Sequence, residues 1–207
     1  MRGPLLSIAL ALAIGFPSGQ AHAADTATPS ADPTQVRPGA YRLDPDHAKI
    51  TWSLSHLGFS TYYGQITDVT GDAVLDPKDP TKIRLKVTIG TESITGVNPK
   101  LDAHLKAPDF FDTARFPSAT FTATAVEATS PTTARVTGDL TLRGVTKAIA
   151  FDATFNQAGI HPVDKAYTVG FDGRAVLKRS DFGIDAFLPM LGDEVVLRLE
   201  GEFKAAN

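Results

Sequence analysis

The chain has 207 residues, of which 43% are hydrophobic and 21% are charged, and its formal net charge is −3 at pH 7. This composition is typical of a globular protein, and so weak an acidic balance gives no reason to expect binding to nucleic acid or to an anionic membrane surface. The sequence contains no cysteine, which excludes a disulfide framework, a catalytic thiol and a lipidated cysteine anchor.

The segment 1–23 has the pattern of a secretory signal peptide. Arg2 precedes a short apolar run at 5–16, and Ala21-His22-Ala23 forms an Ala-x-Ala cleavage site. The run is shorter than the roughly 20 residues that a membrane-spanning helix needs. We therefore expect cleavage after Ala23 and a soluble mature protein in the periplasm.

Residues 24–38 are rich in Ala, Thr and Pro, and Val36 is their single larger apolar residue. Such a segment has too little apolar surface to order itself, so we predict a flexible leader at 24–38. The remainder, 39–207, shows no internal repeat and no second linker. It is predicted to form one domain.

Apolar and polar residues alternate through most of that domain. The alternation is clear at 83–89, 134–143, 167–177 and 194–203, and weaker at 48–57, 62–75, 119–127 and 145–155. A period of two predicts about eight antiparallel strands, each with one buried and one solvated face. Arg143-Gly144 predicts a tight hairpin between two of them.

These strands are long, about 12 residues at 167–178, where the usual length is about 5–6. Length favours an all-β, eight-stranded antiparallel barrel over a sandwich, because tilted barrel strands use it and closure removes exposed edges. The inward positions mix aromatic rings with alanine and glycine, including Ala153 and Ala175. This mixture favours an internal cavity, and the alternative is a solid core of interlocking large and small side chains.

One short helix is predicted at 100–106, where Leu101 and Leu105 share a face and Pro108 ends the helix. Phe110 and Phe111 follow it. We expect them either to plug one end of the barrel or to form an apolar rim around its mouth, with one ring anchoring the segment and the other touching the ligand.

Several motifs of the domain occur together in one known family. In chain order they are YRLDPDHAKITWSLSHLGFS, ESITG, LDAHLKAPDFFDTARFPSATF, GDLTLRGVTKAI, and RSDFGI followed by GDEV. Their order and spacing over about residues 40–204 resemble the YceI-like family. The resemblance implies a periplasmic, lipocalin-like eight-stranded barrel with a short helical segment and an elongated hydrophobic pore.

The resemblance also implies the ligand. Members of that family hold isoprenoid chains such as polyprenyl phosphates or ubiquinone, and some resemble carriers of fatty acids or fatty amides. In this sequence the stretch VNPKL replaces a commoner polar turn that contains arginine. If that arginine holds a head group in relatives, Lys100 is the residue that can replace it here.

We expect the ligand to be lined mainly by aromatic side chains, with three basic residues near its polar end. The expected contacts are Trp52, His56, His104, Phe110, Phe111, Phe121, Phe151, Phe171, Arg179 and Phe182.

The three basic candidates each have a structural alternative. His56 shares strand parity with Trp52 and should point inward, where it would bind a head group or a backbone partner. His104 would contact the ligand or make a structural hydrogen bond. Arg179 would reach an anionic head group, or 179–183 would form a structural turn in which Asp181 accepts backbone N–H groups.

The sequence leaves two functional classes open. The first is a non-enzymatic carrier of an amphiphilic lipid, with the tail in the barrel and the head near the mouth. The second is a hydrolase or isomerase of lipid-like substrates in the same cavity, and a filled barrel serving as an interaction module is a more distant third.

The histidines lack metal-ligand spacing and no Gly-x-Ser-x-Gly elbow occurs, so we expect neither a metal nor catalytic residues. We expect the bound lipid instead of a cofactor, transient contact with a membrane surface and no nucleic acid. A homodimer is compatible with the sequence.

Overall fold

The computed structural model describes residues 28–206, so the signal peptide predicted at 1–23 lies outside the described residues. The strands are β1 Gly39–Leu43, β2 Lys49–His56, β3 Ser60–Ile66, β4 Val69–Leu75, β5 Arg84–Gly90, β6 Ile94–Thr95, β7 Ser118–Ala128, β8 Thr133–Leu142, β9 Val145–Ile160, β10 Tyr167–Lys178 and β11 Glu194–Ala205. The α helix is α1 Pro99–Leu105, and short 3-10 helices lie at 33–35, 45–47, 80–82, 91–93 and 179–182. Within 28–206, no helix is long and apolar enough to span a bilayer.

The eleven strands occupy eight positions in a closed wall. β1 and β2 lie end to end along β11, which pairs with both of them. In the same way β4 and β3 pair with β1 and β2, and β5 and β6 pair with β4 and β3. Each broken pair fills one position and β7 to β11 fill the other five, all antiparallel. The predicted eight-stranded antiparallel barrel is therefore confirmed.

The predicted helix and hairpin are also present. The side chain of Asn98 accepts hydrogen bonds from the backbone N–H groups of Lys100 and Leu101, and Pro99 occupies the first turn, so α1 begins one residue earlier than predicted. At the β8–β9 hairpin Arg143 and Gly144 both have positive φ, 52° and 75°. Positive φ at both central residues is what a tight type I′ hairpin requires.

The described part of the predicted leader packs against the barrel. Ser30 and Ala158 exchange two backbone hydrogen bonds of 2.8 and 2.9 Å, and Val36 is buried. The hydroxyl of Tyr167 donates to the backbone carbonyl of Gln35 at 3.2 Å. This corrects the prediction of a flexible leader for residues 28–38, because β9 and β10 supply the backbone partners and the apolar surface that the segment itself lacks. Residues 24–27 lie outside the described part.

Phe182 completes the wall between β9 and β10. The ladder between these strands ends at the pair Asp152 and Arg174. Beyond that pair, Phe182 on the 3-10 helix 179–182 is 1% exposed and belongs to an apolar cluster with Ile149 and Leu177. It therefore fills space that backbone pairing does not close.

One lysine joins three chain segments at the barrel surface. Lys204 on β11 lies 2.6 Å from Asp44, in the turn after β1, and 2.6 Å from Asp164, in the loop between β9 and β10. The hydrogen bond from Lys204 is the main cause that lowers the pKa of both carboxyl groups, each from 3.8 to about 2.

This arrangement predicts acid-sensitive stability. Because folding lowers both pKa values, the stabilisation is present at neutral pH and is lost as pH falls from 3.8 to about 2. We expect Lys204→Met to lower Tm at pH 7, and we expect the difference from the parent protein to shrink towards pH 2. Thermal unfolding across this range measures it, with Lys86→Met on the exposed face of β5 as the control. A difference in Tm that is constant from pH 7 to pH 2 would contradict the assignment.

Candidate ligand-binding site

The interior of the barrel contains two apolar cavities, of about 280 and 120 Å³. Both are lined by Ile50, Ile89, Leu140 and Leu197. These four side chains come from four different strands and form the layer between the cavities. The prediction of a cavity, instead of a solid core, is confirmed.

The larger cavity exists because small residues replace large ones along neighbouring strands. Ala153 on β9 pairs with Gly173 on β10, and Ala175 is the next inward residue. A Cβ at Gly173 would lie 3.0 Å from the side chain of Leu199, so even this position has little spare room sideways. A side chain at position 173 would therefore have to displace Leu199.

The rings predicted for this region line the larger cavity. Phe121 and Phe151 meet edge to face at 5.5 Å between ring centroids. Phe171, also in the wall, contacts Phe155 at 5.8 Å and Phe203 at 6.1 Å. Edge-to-face contacts of this kind stabilise aromatic pairs beyond their buried area. They fix the rings around the cavity and keep them from collapsing into it.

Trp52 forms one side of the smaller cavity. Its ring stacks with Tyr62 at 6.3 Å and covers Gly64, where any Cβ would overlap the indole. Trp52 is 6% exposed, and its indole N–H has no hydrogen-bond partner among the described residues. A buried donor without a partner is uncommon and costly.

Phe110 and Phe111 close the smaller cavity at the end of the barrel. Both line it, together with Leu105 from α1. Phe110 is 5% exposed and stacks with Phe187 at 6.2 Å, whereas Phe111 is only partly buried. The pair forms a plug and not a solvated rim, and the half-exposed ring at this end belongs to Phe187, which the sequence analysis did not single out.

The two carboxyl groups beside this pair differ in environment. Asp109 is partly exposed and lies 2.9 Å from Nε2 of His104. Asp112 is buried and is paired with Arg115 at 3.2 Å. His104 thus makes the structural interaction that was its alternative, and its ring packs on Phe110 and does not line either cavity.

His56 also lies outside the walls of these two cavities. It is half-buried at the end of β2, with its ring 6.0 Å from that of Tyr62, and its backbone pairs with Leu191. The prediction from strand alternation that Trp52 and Leu54 point inward is confirmed, because both line the smaller cavity. His56 is the last residue of β2, and at a strand end the alternation no longer predicts whether a side chain points inward.

Arg179 is a structural clamp whose side chain borders the smaller cavity. The residue is 4% exposed, and its guanidinium donates to the backbone carbonyls of Gly192, Ile184 and Leu191 at 2.9, 2.9 and 3.0 Å. Burial lowers its pKa, which nearby carboxylates oppose. Three of its donor groups therefore hold the loop that covers this end, which is the structural alternative expected for 179–183, and contact of Arg179 with an anionic head group stays a prediction.

Two neighbouring predictions need correction. Asp181 is exposed, and Asp193 instead accepts hydrogen bonds from the backbone N–H and the hydroxyl of Ser180 at 3.0 and 2.8 Å. Phe182 is buried in the apolar cluster between β9 and β10 and lines neither cavity. Ligand contact by the other expected aromatic residues stays a prediction.

A cluster of potential metal ligands lies at the turn between β1 and β2. Asp44, His47 and Glu202 bring their ligand atoms within 4.8 Å of one another. The same carboxylate oxygen of Asp44 that lies 2.8 Å from His47 also lies 2.6 Å from the ammonium group of Lys204. The ammonium group of Lys204 already pairs with the carboxylate of Asp44, so we interpret this cluster as an ion-pair network.

Comparison with known proteins agrees with this architecture. The model of the YceI-like domain matches residues 41–203. A UPF0312 protein of Pseudomonas aeruginosa is 37% identical over 204 residues, which cover 98% of this chain and 97% of that protein.

Two solved structures share the fold. The YCEI protein of Campylobacter jejuni is 30% identical, with a TM-score of 0.66 over 74% of this chain and 90% of that one. A polyisoprenoid binding domain from Saccharophagus degradans has a TM-score of 0.63 at 13% identity and covers 82% of this chain and 100% of that one. The matched domain spans nearly all of the barrel described above, and the chain belongs to the YceI-like family.

Proposed function

We propose that the protein is a periplasmic, non-enzymatic carrier that encloses the apolar tail of an amphiphilic lipid, such as an isoprenoid. The observation that carries this proposal is the apolar lumen, whose larger cavity of about 280 Å³ has walls made largely of aliphatic and aromatic side chains. Concave apolar sites of roughly this size are typical of small-molecule binding. The polyisoprenoid binding domain from Saccharophagus degradans has the same fold, and its name supports this ligand class. Export rests on the signal-peptide pattern at 1–23.

The cavity volume bounds the length of enclosed tail. An engineered cavity of about 150 Å³ holds one benzene ring, so the larger cavity suits a chain of roughly ten carbons, or two isoprene units. A longer tail requires the layer of Ile50, Ile89, Leu140 and Leu197 to move, which would join the two cavities. We therefore propose that the lumen, with this layer in place, holds one end of a tail.

The competing solvent for this tail is the membrane. Burying a methylene group gains about 0.8 kcal/mol relative to water, but a bilayer solvates the tail equally well. For a tail of some forty carbons the nominal gain would exceed about 30 kcal/mol, above the ceiling of roughly 18–21 kcal/mol for non-covalent binding. Preference for the protein must come from tail fit and head-group contacts, and this favours exchange with a membrane over permanent storage.

The polar groups near the smaller cavity favour an uncharged head group. Arg179 already donates to three backbone carbonyls, whereas the buried N–H of Trp52 has no partner among the described residues. A carbonyl oxygen would satisfy that donor without bringing an unpaired charge into an apolar site. The smaller cavity, of about 120 Å³, lies below the roughly 150 Å³ that holds a benzene ring, so a quinone ring beside Trp52 requires the layer between the two cavities to move. With that movement, we propose a quinone such as ubiquinone over a polyprenyl phosphate, and a fatty amide has the same carbonyl chemistry in a smaller head group.

The alternative of an enzyme acting on the same lipid is less well supported. Nucleophilic catalysis needs a nucleophile beside a base. His56 and His104 both lie outside the walls of the two cavities. Their placement supports binding without chemical conversion.

Filling the larger cavity should prevent binding. We expect Ala175→Phe or Ala153→Phe to abolish binding of a fluorescent probe with a geranyl chain, because the new ring occupies the space that the chain needs. Far-ultraviolet circular dichroism should keep its strand signal. Ala148→Phe, at an exposed position of β9, is the control and should bind normally. Destabilisation of about 1–3 kcal/mol, as overpacking causes, together with normal probe binding, would place the ligand elsewhere.

The two phenylalanines at the barrel end should separate stability from transfer. Phe110→Ala removes a ring that is 5% exposed and should cost roughly 3–5 kcal/mol of unfolding free energy. Phe111→Ala removes a partly buried ring and should cost less, while it changes the rate at which lipid leaves labelled vesicles. Urea unfolding and a fluorescence transfer assay measure the two effects. Equal loss of stability in both variants with normal transfer would mean that the pair is a plug only.

The indole N–H provides a test of head-group chemistry. Trp52→Phe keeps an aromatic ring but removes the donor. We expect affinity for a short-chain ubiquinone to fall by a factor of roughly 5–10, as the loss of one hydrogen bond implies. Affinity for a hydrocarbon of the same chain length should not change. A parallel loss for both ligands would show that the ring matters and its N–H group does not.

A further inference from the structure

Four large apolar side chains are exposed at one end of the barrel. Leu57 and Phe59 lie in the turn between β2 and β3 and are 46% and 91% exposed. Phe187 and Met190 lie in the loop before β11 and are 46% and 55% exposed. We call these four side chains the apolar tip.

The two segments of the apolar tip are held side by side by the backbone. The N–H of Leu57 donates to the carbonyl of Met190 at 2.9 Å, and the N–H of Gly192 donates to the carbonyl of Ser55 at 2.8 Å. The four side chains therefore form one surface and are not scattered residues. Clustered exposed apolar residues mark interaction sites more often than single ones do.

The apolar tip is continuous with the proposed lipid site. Phe187 stacks on Phe110 with ring centroids 6.2 Å apart and an angle of 23° between the rings. Phe110 in turn lines the smaller cavity. Phe187 of the apolar tip and Phe110 of the cavity wall therefore form one aromatic layer between solvent and the lumen.

We propose that the apolar tip inserts into the interface of a lipid bilayer and sets the barrel end-on to the membrane, so that a lipid tail passes through the layer of Phe110 and Phe187. This inference rests on the proposed carrier function. A membrane fits the area of the surface better than a second copy of the chain does. Four partly exposed side chains amount to a few hundred Å² at most, since a whole aromatic side chain buries about 150–250 Å². A stable protein interface needs about 800 Å² on each partner, whereas interfacial insertion needs only a shallow apolar surface.

The charges around the apolar tip determine the kind of membrane. His104 and Asp109 form a close pair beside it at 2.9 Å, and Asp185, in the same loop as Phe187, is exposed. This mixture gives no net basic surface, which agrees with the weak acidic balance of the whole chain. Insertion should therefore occur on uncharged phosphatidylcholine and should depend little on salt.

Co-sedimentation with phosphatidylcholine vesicles tests the proposal. We expect the full mature protein to bind vesicles, and we expect the double variant Phe59→Ser, Met190→Ser to bind roughly tenfold more weakly or less. The variant should keep the parent Tm, because both side chains are exposed, and it should bind the geranyl probe from solution normally. Val163→Ser, an 81% exposed apolar side chain in the loop between β9 and β10 at the other end of the barrel, is the matched control and should bind vesicles like the parent.

The outcomes separate this inference from the carrier function. Probe binding without vesicle binding by the parent protein, or equal vesicle binding by parent and double variant, would overturn docking while the carrier stands. Vesicle binding that is lost in the double variant, without any probe binding by the parent, would support docking and overturn the carrier. A parent dimer that the double variant converts to a monomer in sedimentation velocity, with no vesicle binding by either, would assign the apolar tip to a second copy and overturn the proposal.

Discussion

Closure of the wall by β11 is the constraint on which the rest of the structure depends. β11 pairs with β10 along one side and with β1 and β2 along the other, so this sheet has no free edge at the position where its first and last strands meet. A closed barrel of eight strands has an interior that side chains can just fill or that can hold one small ligand. The volumes of a few inward residues decide between these outcomes. Ala153, Gly173 and Ala175 decide in favour of a cavity here, and the edge-to-face rings around them keep it open.

At the end of the barrel that covers the smaller cavity, the buried Arg179 and the half-buried Arg143 donate hydrogen bonds to backbone carbonyls. Arg179 holds the carbonyls of residues 184, 191 and 192. Arg143, at the tip of the β8–β9 hairpin, donates to the carbonyls of Pro108 and Gly183. Each guanidinium holds loop residues that are not paired in a β-sheet, because its planar donors can reach several backbone carbonyls at once. The loop and the segment that carry Phe187 and Phe110 are thus positioned by charge-assisted bonds. The two rings contact each other and the ring of His104, and Phe110 also lines the smaller cavity.

The barrel could be predicted from sequence because period-two alternation extends over long strands such as β10 and β11. β1 and β6 were missed because five and two residues are too few to show a period. The rings lining the larger cavity followed from strand parity, and parity failed at His56, where the strand stops. The roles of Arg179, Phe182 and Asp193 depend on how loops cross the barrel end, which no local pattern records. The same reason explains the segment 28–38, whose order comes from β9 and β10 and not from its own composition.

If the lumen holds the tail of an amphiphilic lipid in the cell, as we propose, native mass spectrometry should detect that lipid on the isolated protein. The protein should be isolated from its own host without detergent, and its intact mass compared with that of the Ala175→Phe variant prepared in the same way. We expect the parent protein to carry an added mass, released on activation as an amphiphile with an isoprenoid or similar apolar tail, and we expect the variant to carry none. A parent protein found only as the bare chain, or an identical added mass on both proteins, would contradict it.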